Sequence, residues 1–142
     1  MTSCKDECEA LISSVLPVAE RMLIEHRALQ PFGSTLSADD EIRQVGGWVA
    51  AEASLNPEII HEFEASFREG AARGELKATA LLQPMRAVPP GKVELEDAVS
   101  IRLDHRDDYS VVVTFPYRFS VTGELVIDEP FASEGEHGIF PR

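Results

Sequence analysis

The chain has 142 residues, of which 44% are hydrophobic and 27% charged, a composition typical of one folded domain rather than of a disordered segment. Its formal net charge of −12 at pH 7 disfavours binding to nucleic acid or to an anionic membrane surface, because both require a continuous basic surface. The same charge keeps a protein soluble and attracts cationic partners without identifying one.

The N-terminal residues argue against export. Residues 1–9 are acidic where a secretory signal peptide is basic, and no long apolar run follows. The only two cysteines, Cys4 and Cys8, have no second Cys or His pair nearby, so they supply at most half of a zinc site. We therefore expect a cytoplasmic protein with free thiols.

The first element is an amphipathic helix. From Cys8 to His26, apolar side chains recur at steps of three and four, which predicts a helix over residues 5–29. Pro17 lacks a backbone N–H and clashes with the preceding turn, so we expect it to kink this helix or to begin a second one. Residues 30–33 then end the helix.

A hairpin and a second helix follow. Residues 32–37 and 41–45 are the strand candidates, and the turn residues 38–40 lie between them. Two glycines then interrupt the chain before Trp48. Asn56, Pro57 and Glu58 form the strongest helix-start signal in the chain, and Gly74 supplies the corresponding stop.

From Leu76 onward the hydrophobic period changes from helical spacing to two. The first strand of this region ends at Pro84 or continues to the break at residues 89–91. Two further strands are centred on residues 99–103 and 111–119, and Pro116 favours an edge position or a bulge for the second. A turn at Thr122 and Gly123 leads into a last strand at Leu125 and Ile127.

These elements predict a single α+β domain over residues 1–142. We expect a mainly antiparallel sheet of five to six strands with two helices packed on it, in the order α-ββ-α-βββ(β). The glycine-rich residues 132–142 are expected to be loosely ordered, with Ile139 and Phe140 anchoring them.

Several segments together resemble a family of small bacterial proteins of unassigned function. The similarity lies in residues 97–105, in residues 109–119 with their Phe-Pro-Tyr-Arg core, and in the Glu-Gly-Glu sequence before Ile139 and Phe140; the Pro-Phe-Gly sequence at residues 31–33 is similar too. The resemblance implies a bacterial single-domain protein and implies no catalytic residue.

Motifs for cofactors, metals and catalysis are absent from the sequence. No glycine-rich phosphate-binding motif is present, so we expect no nucleotide and no other cofactor. His61 lies in a sequence that lacks the second histidine of a zinc-protease helix, and a solvated charge cluster with Glu58 and Glu64 explains it. Ser34 follows a glycine but lacks the surrounding elbow motif of hydrolases.

Four residues are candidates for binding a ligand or partner: Trp48, His105, Tyr117 and Arg118. If the two late strands pair through residues 106–108, the last three side chains converge beside the sheet and form a cleft for an anionic or planar ligand. Core packing is the alternative explanation for Tyr117, because it shares a strand face with Phe115 and Phe119. For His105 the alternative is a surface position at the end of its strand. Trp48 is either a core residue or an interface anchor.

The leading functional hypothesis is a noncatalytic binding or protein-interaction module, such as an acidic immunity-like protein or a homodimer. We expect a protein partner or self-association, with neither nucleic acid nor membrane as a partner. The alternative is a small-molecule enzyme or ligand-binding domain with its site near the late strands. A subunit of a larger assembly is a third interpretation, and it requires a large exposed apolar patch.

Overall fold

A computed structural model describes residues 3–47 and 58–140 of the chain. Those residues form two helices and seven strands, so the α+β class and the predicted element order are confirmed, with one strand more than expected. The helices are α1 (Cys4–His26) and α2 (Glu58–Ala72). The strands are β1 (Phe32–Ser37), β2 (Ile42–Val45), β3 (Leu76–Ala87), β4 (Glu96–His105), β5 (Tyr109–Phe119), β6 (Leu125–Ile127) and β7 (Phe131–Glu134).

All described strands pair antiparallel in one sheet with the order β2-β1-β3-β4-β5-β6, and β7 also pairs with β5. Strands β3, β4 and β5 are the longest and form the centre. In their register Leu82 lies beside Ile101, which lies beside Val113. These side chains share a face, because alternate residues of a strand point to the same side.

Helix α1 covers that apolar face. Ser3 caps its N-terminus by accepting a hydrogen bond from the Asp6 backbone N–H at 3.1 Å. The helix continues through Pro17 rather than beginning again there, and the residues around the proline are held on the sheet by the burial of Val15 and Ala19. It ends at His26, earlier than expected, because Arg27 adopts a left-handed backbone conformation with φ 56°. Neither helix in the described residues has the length and apolar character needed to cross a bilayer.

Helix α2 packs through Phe67 on the opposite face of the sheet. A Cβ atom at Gly33 would lie 2.6 Å from the Ala80 carbonyl oxygen and 2.7 Å from the Phe67 ring, so only glycine allows this approach. Phe67 forms a second, smaller core with Leu81, Ile139 and Phe140. The two C-terminal residues that were expected to anchor the tail are thus buried beneath α2.

Pro116 lies inside the sheet and not on an edge strand. Strand β5 pairs with β4 on one side and with β7 and β6 on the other, so the edge alternative is wrong. Pro116 falls between residues 111–114, which pair with β7, and residues 117–119, which pair with β6. The Pro116 carbonyl accepts a hydrogen bond from the Asp128 N–H at 2.8 Å. The N–H and the C=O of one strand residue point to the same side, so the N–H that proline lacks belongs to this side of β5, where the pairing changes from β7 to β6.

Candidate functional site

The two faces of the sheet differ in polarity. The face beneath α1 is apolar, whereas the face toward α2 carries polar side chains that are buried or half-buried, namely Thr35, Thr79, Ser100, Arg102, Asp104 and Thr114. The register places these residues on the side of Leu81, which contacts Phe67. Buried polar groups on a sheet face must find partners, so this face is the first place to look for a site.

A cavity of about 190 Å³ lies between this polar face, α2 and residues 134–139. Three hydrogen bonds hold the C-terminal residues over it. The Gly135 N–H donates to the Ser110 carbonyl at 3.0 Å, the His137 N–H donates to the Ser110 hydroxyl oxygen at 3.2 Å, and Arg68 Nε donates to the Gly138 carbonyl at 2.6 Å. A Cβ atom at position 135 would overlap the Ser110 hydroxyl, so glycine permits the close approach.

Two arginines in the cavity wall share one carboxylate. Glu64 Oε2 lies 3.3 Å from Arg68 Nη2 and 3.5 Å from Arg102 Nη1, and the Glu64 side chain is only 14% exposed. Arg102 Nε is buried and has no hydrogen-bond acceptor among the described residues. The Arg102 guanidinium is therefore paired on one side only, which is costly for a buried donor.

Asp104 is the buried acid of the cavity, with 8% of its surface exposed. Its Oδ1 accepts a hydrogen bond from the Ser110 hydroxyl at 2.9 Å, and within the described ranges no cation lies at ion-pair distance from it. Burial raises the pKa of Asp104, while the Ser110 hydrogen bond and the charge of Arg102 oppose the shift. A buried carboxylate with a raised pKa is typical of functional sites, because burying it does not stabilise the fold.

Replacing Asp104 with asparagine is therefore expected to increase the free energy of unfolding at pH 7 by about 1 kcal/mol. A carboxylate whose pKa is raised on folding weakens the fold as pH rises above the unfolded value of 3.8, and the amide removes that penalty while keeping an oxygen for Ser110. Urea unfolding at pH 7 and pH 4 measures the gain, which should shrink at the lower pH. A destabilised variant at pH 7 would contradict this assignment.

The structure does not bring the predicted binding residues together. Trp48 lies outside the described residues. His105 pairs with Tyr109 in the β4–β5 register, so Tyr117 is eight residues farther along β5, roughly 27 Å away at ordinary strand spacing. Arg118 points to the opposite side of β5 from Tyr117, because successive side chains alternate.

Each of these side chains instead has a local structural contact. His105 is buried, with Nε2 at 2.9 Å from Glu7 Oε1, and its Nδ1 accepts the Asp107 N–H at 3.0 Å. Tyr117 stacks edge-on against Phe119 with ring centroids 6.3 Å apart, as the core-packing alternative expects. Arg118 is exposed, with Nε at 3.7 Å from Asp128 Oδ2.

Sequence reasoning missed Arg102 and Asp104. Both alternate along their strand with apolar residues, and such a pattern is also typical of a strand whose polar face lies in solvent. The presence of a second amphipathic helix is the sequence signal that indicates their burial. If α1 covers one face of the sheet, the second helix can cover the other face, on which Arg102 and Asp104 lie. Glu64 on α2 then becomes a half-buried partner for that face, and Arg68, four residues farther along and 53% exposed, pairs with it.

Two other chemistry-bearing residues, His61 and Cys8, lie outside this cavity. His61 is 81% exposed, with Nδ1 at 3.5 Å from Glu64 Oε1. Within residues 3–47 and 58–140, no three His, Cys, Asp or Glu side chains are arranged to hold a metal ion. Burial raises the pKa of Cys8 to about 12, so this thiol is protonated and unreactive at neutral pH.

A second notable surface is the end of the β3–β4 hairpin, residues 84–97, here called the arm. Pairing with β1 ends at Leu82 and pairing with β5 ends at Ala98, so the arm leaves the sheet as two strands and a loop. Four of the seven exposed large apolar side chains in the described residues lie on it: Met85, Val88, Val93 and Leu95. Val93 alone is 93% exposed.

A groove of about 500 Å³ separates the arm from residues 128–131 and has mainly proline and phenylalanine in its walls, including Pro89, Pro90, Pro116, Pro130 and Phe131. The cations of this region lie near acids: Lys92 is 3.0 Å from Glu96, Arg86 is 3.6 Å from Asp97 and Arg118 is 3.7 Å from Asp128. Glu94 and Glu129 have no cation at such a distance in the part of the chain described.

The molecule thus offers a partly enclosed cavity beneath α2 with charged side chains in its wall, and an arm with exposed apolar side chains and with the acids Glu94 and Glu129 on or beside it. No protein-family model, curated protein or solved structure matches this chain.

Proposed function

We propose that this protein is a noncatalytic interaction module of the bacterial cytoplasm that binds a basic protein partner through the arm, in the manner of an acidic immunity protein. The observation that carries the proposal is the concentration of exposed apolar side chains on the arm. Exposed apolar clusters on soluble domains are typical of interaction sites, whereas isolated apolar residues need no explanation.

The charges around the arm favour a cationic partner. Its own cations are within ion-pair distance of acids, while Glu94 and Glu129 are left to interact with a partner. The whole chain carries a net charge of −12, which accelerates the approach of a basic protein. A second copy of the chain would bring the same acids together, so self-association through the arm is disfavoured.

Two observations support a noncatalytic role. Ser34, the serine after Gly33, is buried beneath α1, and its hydroxyl accepts a hydrogen bond from the Ser14 hydroxyl at 3.0 Å. His105 uses both ring nitrogens in structural hydrogen bonds. Neither residue has the nucleophile-and-base arrangement of covalent catalysis.

The test compares a double arm variant, Val93→Ser with Leu95→Ser, with a control that changes two exposed apolar residues elsewhere, Ile24→Ser with Val121→Ser. Proteins retained from an extract of the source organism by the wild type and the control, but not by the arm variant, are identified and produced in pure form. Their affinity, measured by interferometry, should be at least about tenfold weaker for the arm variant. The retained partner should be basic, and its association should slow as salt increases.

Three results would overturn the proposal. In the first, no purified partner binds the arm variant more weakly than it binds the control; in the second, the arm-dependent partner is acidic. Alternatively, sedimentation of the wild type would show a dimer that only the arm variant dissociates, which would identify the occupant as a second copy of the chain.

A further inference from the structure

We propose that the cavity beneath α2 binds a small zwitterion of the α-amino acid type, with its carboxylate at Arg102 and its ammonium group at Asp104. This site is separate from the arm and does not depend on the partner proposed there. The two residues lie in the wall of the same cavity, on the same face of β4.

The cavity wall contains a buried donor without an acceptor and, besides the exposed acids Glu134 and Glu136, a buried carboxylate without a cation at ion-pair distance in the described chain. Arg102 Nε is a buried donor without an acceptor in the described chain, and Glu64 engages only the Nη1 side of that guanidinium. Asp104 is nine-tenths buried, and the Ser110 hydroxyl is its hydrogen-bond partner. A ligand with both a carboxylate and an ammonium group supplies an acceptor for Arg102 and a cation for Asp104.

The spacing of Arg102 and Asp104 along β4 matches the size of an α-amino acid. Residues two apart on a strand are about 6.6 Å apart along it and point to the same side. In an α-amino acid the carboxylate and the ammonium group are bonded to the same α-carbon, so the two groups together with one hydrogen-bond length on each side span this separation.

Ligands with a single charge fit this pair of residues poorly. A simple carboxylate would pair with Arg102 but would lie beside the Asp104 carboxylate, while a simple ammonium ion would leave Arg102 Nε without an acceptor. Each arrangement places a charge or a donor in a sheltered site without a partner, which is costly.

The volume of the cavity favours a small ligand. The cavity volume of about 190 Å³ is below the range of roughly 300–1,000 Å³ that is typical of drug-sized ligands. The C-terminal residues held by Arg68 and Ser110 close one side. A small amino acid is therefore expected to bind, and one with a large aromatic side chain is not.

The experiment titrates the purified full chain with alanine, serine, propionate, ethylamine and tryptophan, and measures binding by calorimetry and by amide shifts in NMR spectra. Alanine or serine should bind at least about tenfold more tightly than propionate or ethylamine, which each retain one of the charges. Tryptophan should not bind. This comparison needs only the wild-type protein, so it does not depend on whether any variant folds.

Two conservative variants locate the ligand. Arg102→Gln and Asp104→Asn should each weaken alanine binding at least about tenfold, while the control Arg43→Gln, at an exposed position on β2, should not change it. Failure of all small amino acids to bind the wild type would overturn the proposal. Equal binding of alanine and propionate, or binding unchanged in both cavity variants, would overturn it as well.

Discussion

Replacing Phe67 with alanine is expected to lower the free energy of unfolding by about 4 kcal/mol, the largest effect of any single change considered for this protein. Phe67 is 1% exposed and is the fully buried side chain of α2. Its ring lies over Gly33, where the backbone has no Cβ atom to fill the space that alanine would leave. Because neighbouring backbone cannot collapse into that space, the cost includes a cavity as well as lost burial.

Urea unfolding followed by circular dichroism measures this effect. Phe67→Leu keeps most of the buried volume and should lose only about 1 kcal/mol. Arg73→Ala, at an exposed position directly after α2, should lose less than about 0.5 kcal/mol. A loss below about 1 kcal/mol for the alanine variant would mean that α2 does not pack on the sheet as described. The cavity would then lose one of its walls.

Glu7→Gln is expected to destabilise the fold at pH 7 by about 1–2 kcal/mol, because it weakens the charged contact between α1 and the end of β4. Glu7 Oε1 accepts a hydrogen bond from His105 Nε2 at 2.9 Å, and Glu7 Oε2 is 3.4 Å from Lys77 Nζ, which also pairs with Asp40. The His105 hydrogen bond lowers the pKa of Glu7, Lys77 adds to this, and partial burial opposes it.

The sign of the pH dependence follows from that shift. A carboxylate whose pKa falls on folding stabilises the protein above its unfolded pKa of 4.5, and this contribution disappears as pH falls through the lower folded value. The stability difference between wild type and Glu7→Gln should therefore be constant from pH 7 to about pH 5 and should shrink below pH 4.5. Glu9→Gln, an exposed change on the same helix, is the control and should have no such profile. A difference that grows in acid would refute the assignment.

The two clusters of buried charge have opposite consequences for the fold. Glu7 is paired with His105 and Lys77, so its ionised form stabilises the contact of α1 with the sheet. Asp104 is buried with a hydroxyl partner, so its ionised form opposes folding. We therefore assign His105 a role in stability, because its partner Glu7 stabilises the fold. Asp104 and Arg102 are the stronger candidates for binding, because the fold does not fully pair them.

The amino-acid sequence by itself determined the local elements. The helical spacing from Cys8 to His26, the helix stop near Gly74 and the alternation around Ile101 each predicted an element that the structure contains, because periodicity and turn chemistry act over a few neighbouring residues. The α+β class followed from their order along the chain.

Only the tertiary structure decided which polar residues share a site. Whether Arg102 and Asp104 face water or a cavity depends on where α2 and the C-terminal residues pack, and those contacts join segments far apart in the chain. Likewise, the predicted cleft of His105 and Tyr117 depended on their positions along an antiparallel pair, whose register places them far apart. The hydrophobic pattern of a strand alone does not show what covers it, since a polar strand face has the same sequence whether solvent or a helix lies above it.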